Sequence, residues 1–216
     1  KNNFPISELP VEFQNGYYAF VIGGTYKTKI LPPVKIAEVL KKINKPVILL
    51  GGPDDVERAE EIISLVNGQR TTDNVDINSQ IQKDFQVFRF SDSQIQKDSQ
   101  VFRFSDSQIL NLVGKINLEQ SASIVKNADS VLTNDTGLMH IAAAFHKNIV
   151  SVWGNTVPEL GMYPYLPKEP EKCHIIECND VRCRPCSKLG FKECPKKHFR
   201  CMMEIDVESI VENLSK

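Results

Sequence analysis

A polar turn of eight residues carries the side chains best suited to chemistry. Residues 133–140 read TNDTGLMH and follow an apolar run at 130–132. From Leu138 onward, apolar residues recur at helical spacing: Leu138, Ile141, Ala142 and Phe145. The turn is therefore predicted to join a strand to a helix, whose free N–H groups favour an anion. Gly137 lets a phosphate approach the backbone; the alternative is that Asp135 or Thr136 simply caps the helix.

Elements that could position this turn alternate along most of the chain. Apolar runs of strand length lie at 17–22, 46–50, 109–113, 130–133 and 148–153, with amphipathic segments of helix length between them. Hydrophobic strands that alternate with helices indicate a parallel sheet covered on both faces. We therefore predict an α/β fold, a doubly wound Rossmann-like sheet of five or six parallel strands.

Further polar groups follow other predicted strands. The loop at 23–29 reads GGTYKTK, and the loop at 51–55 reads GGPDD. Because ligands bind at the carboxyl ends of parallel strands, Lys29 suits a diphosphate there and acidic side chains suit sugar hydroxyls. The alternatives are a surface charge for Lys29 and a helix cap for Asp55. The chain lacks both a GxGxxG motif after the first strand and a GK[ST] motif, which disfavours a nicotinamide dehydrogenase and a P-loop enzyme.

Together these motifs resemble glycosyltransferase family nine, the ADP-heptose:lipopolysaccharide heptosyltransferases. The matching segments are Gly24-Thr25 with Thr28-Lys29, residues 51–55 and residues 135–140. The resemblance implies the C-terminal, donor-binding half of a GT-B fold. Residues 1–16 would then be a linker from a missing N-terminal domain, and residues 17–216 would form the nucleotide-sugar-binding domain.

The same resemblance implies inverting, metal-independent transfer of heptose from ADP-heptose to a lipopolysaccharide core acceptor, with no cofactor required. Lys29 and Asp135 would be the catalytic residues: Lys29 would stabilise the departing diphosphate, and Asp135 would hydrogen-bond the sugar. The amides of 136–138 would hold the phosphates. Thr25 and Thr28 would add contacts to the phosphates, and the amides are those of Thr136, Gly137 and Leu138. Asp55 would contact the ribose or Lys29. His140 would either face the site or be buried in its helix.

The family's general base and its lipid acceptor site belong to the N-terminal domain. This chain alone is therefore expected to bind donor and to transfer poorly. Two alternatives stay open: a catalytically inactive binding module with a Cys-rich interaction loop, or another GT-B-type enzyme such as a nucleotide-sugar epimerase.

Composition limits the partners. The net charge of −1 argues against general nucleic-acid binding, and no run approaches the about 18 apolar residues that would span a bilayer. We expect a cytoplasmic protein. The basic loop at 170–203 is interpreted as a solvated surface or as a contact with acceptor phosphates or the inner membrane face.

Two segments interrupt the alternating pattern. Residues 67–108 contain a tandem 14-residue repeat, which we interpret as a duplication within a tolerant surface loop; its alternating segments could instead form edge strands. All six cysteines fall in the last quarter of the chain. Four of them could bind a structural zinc ion, with free thiols or a packing role as alternatives: Cys183, Cys186, Cys194 and Cys201.

Overall fold

A mostly parallel β-sheet forms the centre of the molecule. The structure is a computed structural model and describes residues 4–68, 86–87, 100–104 and 107–216. Eight strands are present within these ranges: β1 (Tyr18–Val21), β2 (Val47–Leu50), β3 (Gln86–Val87), β4 (Gln100–Phe104), β5 (Ser107–Asn111), β6 (Ser130–Asn134), β7 (Asn148–Trp153) and β8 (Cys173–Glu177). Their order is β3-β4-β5-β2-β1-β6-β7-β8.

The six strands from β5 to β8 in that order are all parallel, and they follow the doubly wound arrangement. The chain starts in the middle at β1, moves outward to β2 and β5, and then returns to β6 on the other side of β1. The loops after β1 and β6 therefore diverge and leave a crevice between them. The predicted fold class is confirmed.

Helices cover both faces of the sheet. Seven lie in the described ranges: α1 (Val11–Gln14), α2 (Pro33–Leu40), α3 (Val56–Val66), α4 (Leu118–Asn127), α5 (Gly137–Ala144), α6 (Arg200–Met203) and α7 (Val207–Leu214). One core layer lies between the sheet and α2, α3 and α7, and the other includes α4 and α5. Pro33 stands at the start of α2, where its missing N–H costs no hydrogen bond. No helix in these ranges is long and apolar enough to cross a membrane.

The N-terminal segment differs from the predicted linker. Its described part, residues 4–16, packs on the layer that contains α4 and α5. Phe4, Leu9 and Phe13 are buried there, and the Ser123 hydroxyl donates to the Phe4 carbonyl at 2.8 Å. In the sequence these three residues lie four to five positions apart, and the prolines and the exposed Ile6 and Val11 between them obscure a buried face.

Two short strands extend the sheet beyond β5. Val101 of β4 lies opposite Gln86 of β3 and opposite Leu110 of β5, and both pairings are antiparallel. The edge-strand alternative for the repeat is therefore confirmed for residues 86–87 and 100–104. The rest of the prediction for the insertion at 67–108 falls largely outside the described residues. Pairing with β4 also explains why β5 begins at Ser107, two residues before its predicted start.

The predicted loop at 170–203 contains a strand that the sequence analysis missed. β8 pairs in parallel with β7, with Ile149 opposite Cys173 and Trp153 opposite Glu177. It is an edge strand with only Ile176 buried among its five residues. Its apolar signal is weak because half-exposed edge strands need few apolar side chains.

Candidate functional site

An ion pair marks the crevice between β1 and β6. Lys29 Nζ lies 2.6 Å from Asp135 Oδ2, and the two side chains are only 11% and 7% exposed. Thr156, after β7, donates its hydroxyl proton to the same carboxylate oxygen at 3.1 Å. Lys29 ends the short 3₁₀ helix after β1, and Asp135 directly follows β6. The structure thus brings together the two residues that the sequence analysis assigned to catalysis.

Asn134 holds the loop after β1 in place, a role that the sequence analysis did not assign. Its side-chain oxygen accepts the Leu31 N–H at 2.9 Å. Its amide nitrogen donates to the carbonyls of Val21 and Gly23, each at 3.2 Å. All these contacts span more than 100 positions in sequence, so only the folded sheet reveals them. Asn134 therefore fixes the position of the loop that carries Lys29.

A cleft of ≈ 530 Å³ opens at the carboxyl ends of the central strands, and we call it the strand-end cleft. Glycines of the loops after β1 and β2 form part of its wall, and the N-termini of α4 and α5 form another part. The predicted donor residues that line it are Asp55, Thr136, Gly137 and Leu138. An apolar side is contributed by Ile116, Leu118, Leu138 and Ile141.

The N-terminus of α5 is not capped by a side chain. Thr136 occupies the N-cap position, but its hydroxyl makes no hydrogen bond to the helix amides. Both described contacts of the Asp135 carboxylate, with Lys29 and Thr156, lead away from the helix. The alternative that either residue merely caps the helix is therefore wrong. Thr136, Gly137 and Leu138, at the start of α5, line the strand-end cleft instead, where the free amides of a helix end can bind an anion.

Both oxygens of the Asp55 carboxylate contact residues that lie close to it in sequence. Its Oδ2 accepts the Gly52 N–H at 2.9 Å, and its Oδ1 pairs with Arg58. A Cβ on Gly23 would lie 2.1 Å from Oδ2, so only glycine leaves room for this carboxylate. The predicted contact between Asp55 and Lys29 is replaced by the pairing with Arg58, which lies one helical turn away.

Five predicted residues lie outside the lining of the strand-end cleft: Lys29 and Asp135 of the ion pair, and Thr25, Thr28 and His140. Thr28 is 2% exposed, and its hydroxyl donates to the Phe191 carbonyl at 3.1 Å while accepting the Phe191 N–H at 2.8 Å. Its one proton is therefore not available to a phosphate, which corrects the predicted role. Thr25 is exposed. His140 is also exposed, so the alternative of a buried helix residue is wrong.

The Cys-rich segment is held against the sheet by Arg184. Its guanidinium donates to the carbonyls of Cys178 at 2.8 Å and of Trp153 and Thr156 at 3.2 Å each, and it also contacts the Gly154 carbonyl. It forms an ion pair with Glu177 at 2.7 Å. Because Glu177 lies on β8, Arg184 ties the loop to the edge strand of the sheet.

The structure does not support the predicted zinc ion. Within the ranges described, no group of three or more His, Cys, Asp or Glu side chains is arranged to hold a metal ion. The Cys186 thiol donates to the Cys183 carbonyl at 2.9 Å, and Cys201 is buried in the core. Burial raises the pKa of Cys201 to about 11, so its thiol is protonated at neutral pH. Burial, followed by the hydrogen bond with Cys183, likewise raises the pKa of Cys186 to about 11.

Comparison with known proteins agrees with this architecture. Residues 77–192 match the family model described as glycosyltransferase family 9 (heptosyltransferase). The chain is 40% identical over 110 residues to lipooligosaccharide heptosyltransferase 2 of Haemophilus influenzae, an alignment that covers 50% of this chain and 29% of the relative. It is 39% identical over 66 residues to lipopolysaccharide heptosyltransferase 2 of Salmonella typhimurium, covering 31% and 18%.

Solved structures show the same fold. ADP-heptose lps heptosyltransferase II of E. coli superposes with a TM-score of 0.57 at 20% identity, covering 93% of this chain and 45% of that one. The family 9 glycosyl transferase of Veillonella parvula gives a TM-score of 0.57 at 16% identity, covering 97% and 47%. The chain thus spans less than half the length of these structures, in agreement with one half of a GT-B fold. Because the family model covers more than half of its residues, the chain belongs to glycosyltransferase family 9.

Proposed function

We propose that this chain is the donor-binding half of a heptosyltransferase. It binds ADP-heptose, and the complete enzyme transfers the heptose, with inversion and without a metal ion, to a lipopolysaccharide core acceptor on a lipid. The observation that carries the proposal is the buried pair of Lys29 and Asp135 at 2.6 Å, beside the uncapped N-terminus of α5.

The diphosphate is assigned to this positive region. Negative charge develops on the leaving ADP during transfer, and preorganised donors that face this charge lower the barrier. Lys29 supplies a fixed ammonium group, and the amides at the start of α5 supply the positive end of a helix. Asp135 orients Lys29 through Oδ2 and would keep it in place before donor binds.

The Asp135 carboxylate is also proposed to hold the sugar. Both described contacts of the Asp135 carboxylate, with Lys29 and with Thr156, fall on Oδ2. The second oxygen, Oδ1, can therefore accept a hydrogen bond from a hydroxyl of the heptose. One side chain thus links the position of the sugar to the position of the leaving group.

The nucleobase is assigned to the apolar side of the strand-end cleft. Leu118 is 64% exposed there, and Leu138 and Ile141 are partly buried beside it. A planar base can cover such a surface and remove it from water. Leu50, which directly precedes the loop at 51–55, cannot contact the base because it is fully buried in β2. The general base is assigned to no residue of this chain; the other half of the enzyme would supply it and would bind the lipid-linked acceptor.

Calorimetry with ADP-heptose, ADP-glucose, UDP-glucose and GDP-mannose tests the donor assignment on the 216-residue chain. We expect the two ADP-sugars to bind more tightly than the others and ADP-heptose to bind more tightly than ADP-glucose. If the ADP-sugars bind no better than the UDP- and GDP-sugars, the assignment of the donor is wrong.

Replacing Gly137 by alanine separates a ligand role from a folding role. A Cβ at Gly137 meets no atom within 4 Å, so the chain itself has no need of glycine there. Alanine restricts the unfolded chain more than glycine does, which stabilises a fold by about 0.4–1 kcal/mol where the backbone conformation allows it, so we expect Gly137→Ala to unfold at equal or higher urea concentration. The methyl group would nevertheless obstruct the approach of the diphosphate, and we expect about tenfold weaker ADP binding, equal to about 1.4 kcal/mol.

Gly161→Ala provides a control for the space around the new methyl group, because a Cβ at Gly161 also meets no atom within 4 Å. It lies outside the strand-end cleft, but its φ of +86° makes alanine strained there. It should therefore lower stability and leave ADP affinity unchanged. Unchanged ADP affinity in Gly137→Ala would contradict the placement of the diphosphate at the start of α5.

A further inference from the structure

A second cavity lies between the loop after β1 and the Cys-rich segment. Its volume is ≈ 380 Å³, and it shares no lining residue with the strand-end cleft. Three lysines from two distant parts of the chain line it, namely Lys27, Lys192 and Lys197. Glu193 is the one carboxylate in the lining, and Phe199 adds an aromatic surface. The cavity therefore carries an excess of positive charge in a chain whose net charge is −1.

The walls of this cavity are held together by the fold. Gly190 has a φ of +125°, and a Cβ there would lie 2.6 Å from the Cβ of Tyr26. The next residue, Phe191, exchanges hydrogen bonds with the Thr28 backbone and hydroxyl. The segment that carries Lys192 is thus fixed against the loop that carries Lys27. A preformed site avoids the ordering cost that weakens binding to mobile surfaces.

Within the described residues, no carboxylate forms an ion pair with the lysines of the cavity. Across the part of the chain that the structure describes, Lys27, Lys192 and Lys197 take part in no ion pair or side-chain hydrogen bond. Five other lysines on the described surface do have carboxylate partners: Lys35, Lys42, Lys45, Lys172 and Lys216. Like charges that converge on one cavity repel one another, and a bound anion removes that repulsion.

We propose that this cavity binds the phosphate group of a phosphorylated saccharide, at a site separate from the one proposed for the donor. A phosphate monoester carries a charge of about −1.5 to −2 at pH 7 and offers three acceptor oxygens, which match three ammonium groups partly offset by one carboxylate. Lysine binds phosphate as a point charge, whereas a planar carboxylate is better matched by arginine, which the lining lacks.

The concave shape favours a saccharide over a membrane. The volume of ≈ 380 Å³ lies within the range of about 300–1,000 Å³ that is usual for small-molecule sites. Phe199 can cover one face of a sugar ring while the lysines hold its phosphate.

Titration with glucose 6-phosphate, followed by ³¹P NMR at low ionic strength, tests the proposal. We expect saturable binding by the 216-residue chain and no binding of glucose detectable by calorimetry. The double variant Lys192→Gln/Lys197→Gln should weaken glucose 6-phosphate binding at least about tenfold, since it removes two of the three ammonium groups that line the cavity.

The matched control is Lys188→Gln/Lys196→Gln, which removes the same charge from the same segment but from residues outside this cavity. It should change the affinity for glucose 6-phosphate by less than about threefold, because exposed charges farther away are screened. Equal losses in the two double variants would show a diffuse charge effect and would overturn the proposal.

Two further measurements separate this proposal from its competitors. Saturating ADP should leave glucose 6-phosphate binding unchanged; displacement by ADP would place the phosphate in the strand-end cleft and overturn the proposal. Vesicles of phosphatidylglycerol should not be retained by the wild-type chain. Lysine-dependent vesicle binding without glucose 6-phosphate binding would assign the surface to a membrane instead. Failure of ADP to bind contradicts the donor assignment alone, because neither proposed site uses the other's residues.

Discussion

Replacement of Lys29 by methionine is expected to weaken the binding of ADP-heptose by about 10- to 100-fold, since a hydrogen bond to a charged group contributes about 1.5–3 kcal/mol. The methionine keeps the length of the side chain but removes the charge that faces the diphosphate. Asp135 would then be left with the Thr156 hydroxyl as its remaining described partner. Calorimetry on the purified variant gives the affinity directly.

The loss of Lys29 also lowers the stability of the fold, and this effect has to be separated from the effect on donor binding. Asp135 is 7% exposed, and leaving one member of a buried ion pair uncompensated costs about 3–5 kcal/mol. The double variant Lys29→Met/Asp135→Asn removes both charges and should recover most of the free energy of unfolding. It should not recover binding of ADP-heptose, because neither the ammonium group nor the carboxylate is present.

A pair at the opposite, amino-terminal end of the central strands provides the control. Lys45 Nζ also lies 2.6 Å from a carboxylate oxygen, that of Asp129, but these residues precede β2 and β6. Lys45→Met should leave ADP-heptose affinity unchanged. If Lys29→Met binds ADP-heptose as tightly as the wild type, the role proposed for the ion pair in donor binding is wrong.

Replacement of Arg184 by methionine should lower the free energy of unfolding by about 3–5 kcal/mol, the usual cost of removing one partner from a buried pair. The guanidinium contacts four backbone carbonyls as well as Glu177, and its side chain is 5% exposed. Arg184→Met leaves these buried acceptors without their donor. Urea unfolding followed by circular dichroism measures the loss.

The conservative change Arg184→Lys should restore little of this stability. Lysine offers one ammonium group, whereas the flat guanidinium reaches acceptors on several sides at once. Arg182→Met is the control, because Arg182 is exposed two positions earlier on the same loop. We expect it to change the free energy of unfolding by less than about 0.5 kcal/mol. An equally small change in Arg184→Met would show that Arg184 does not anchor the loop.

Local patterns were sufficient to predict the central sheet. Continuous apolar runs of strand length such as 46–50 and 148–153 are typical of interior strands, and both became strands of the parallel sheet. The position of the Asn134–His140 turn followed from the same logic, because polar residues directly after a buried strand must lie at its carboxyl end. Fold class and the region of the candidate site were therefore readable from residues close together in sequence.

Contacts between residues far apart in sequence were decided only by the tertiary structure. Thr28 was predicted to contact phosphate, but it bonds to Phe191, 163 positions away. Asn134 was a turn residue in the sequence, yet it holds the loop after β1. The segment 4–16 was predicted to be a linker, but its apolar side chains complete a core layer. None of these contacts leaves a local signal, since each depends on two segments that meet only when the sheet forms.

The ion pair between Lys29 and Asp135 combines both kinds of information. The sequence by itself determined that a lysine and an aspartate follow two predicted strands, each in a glycine-containing loop. That these two strands are neighbours, and that the ammonium and carboxylate groups meet at 2.6 Å beside an uncapped helix, was decided by the tertiary structure. The physical reason is that strand order comes from how helices pack on both faces of the sheet, and this packing is a property of the whole chain.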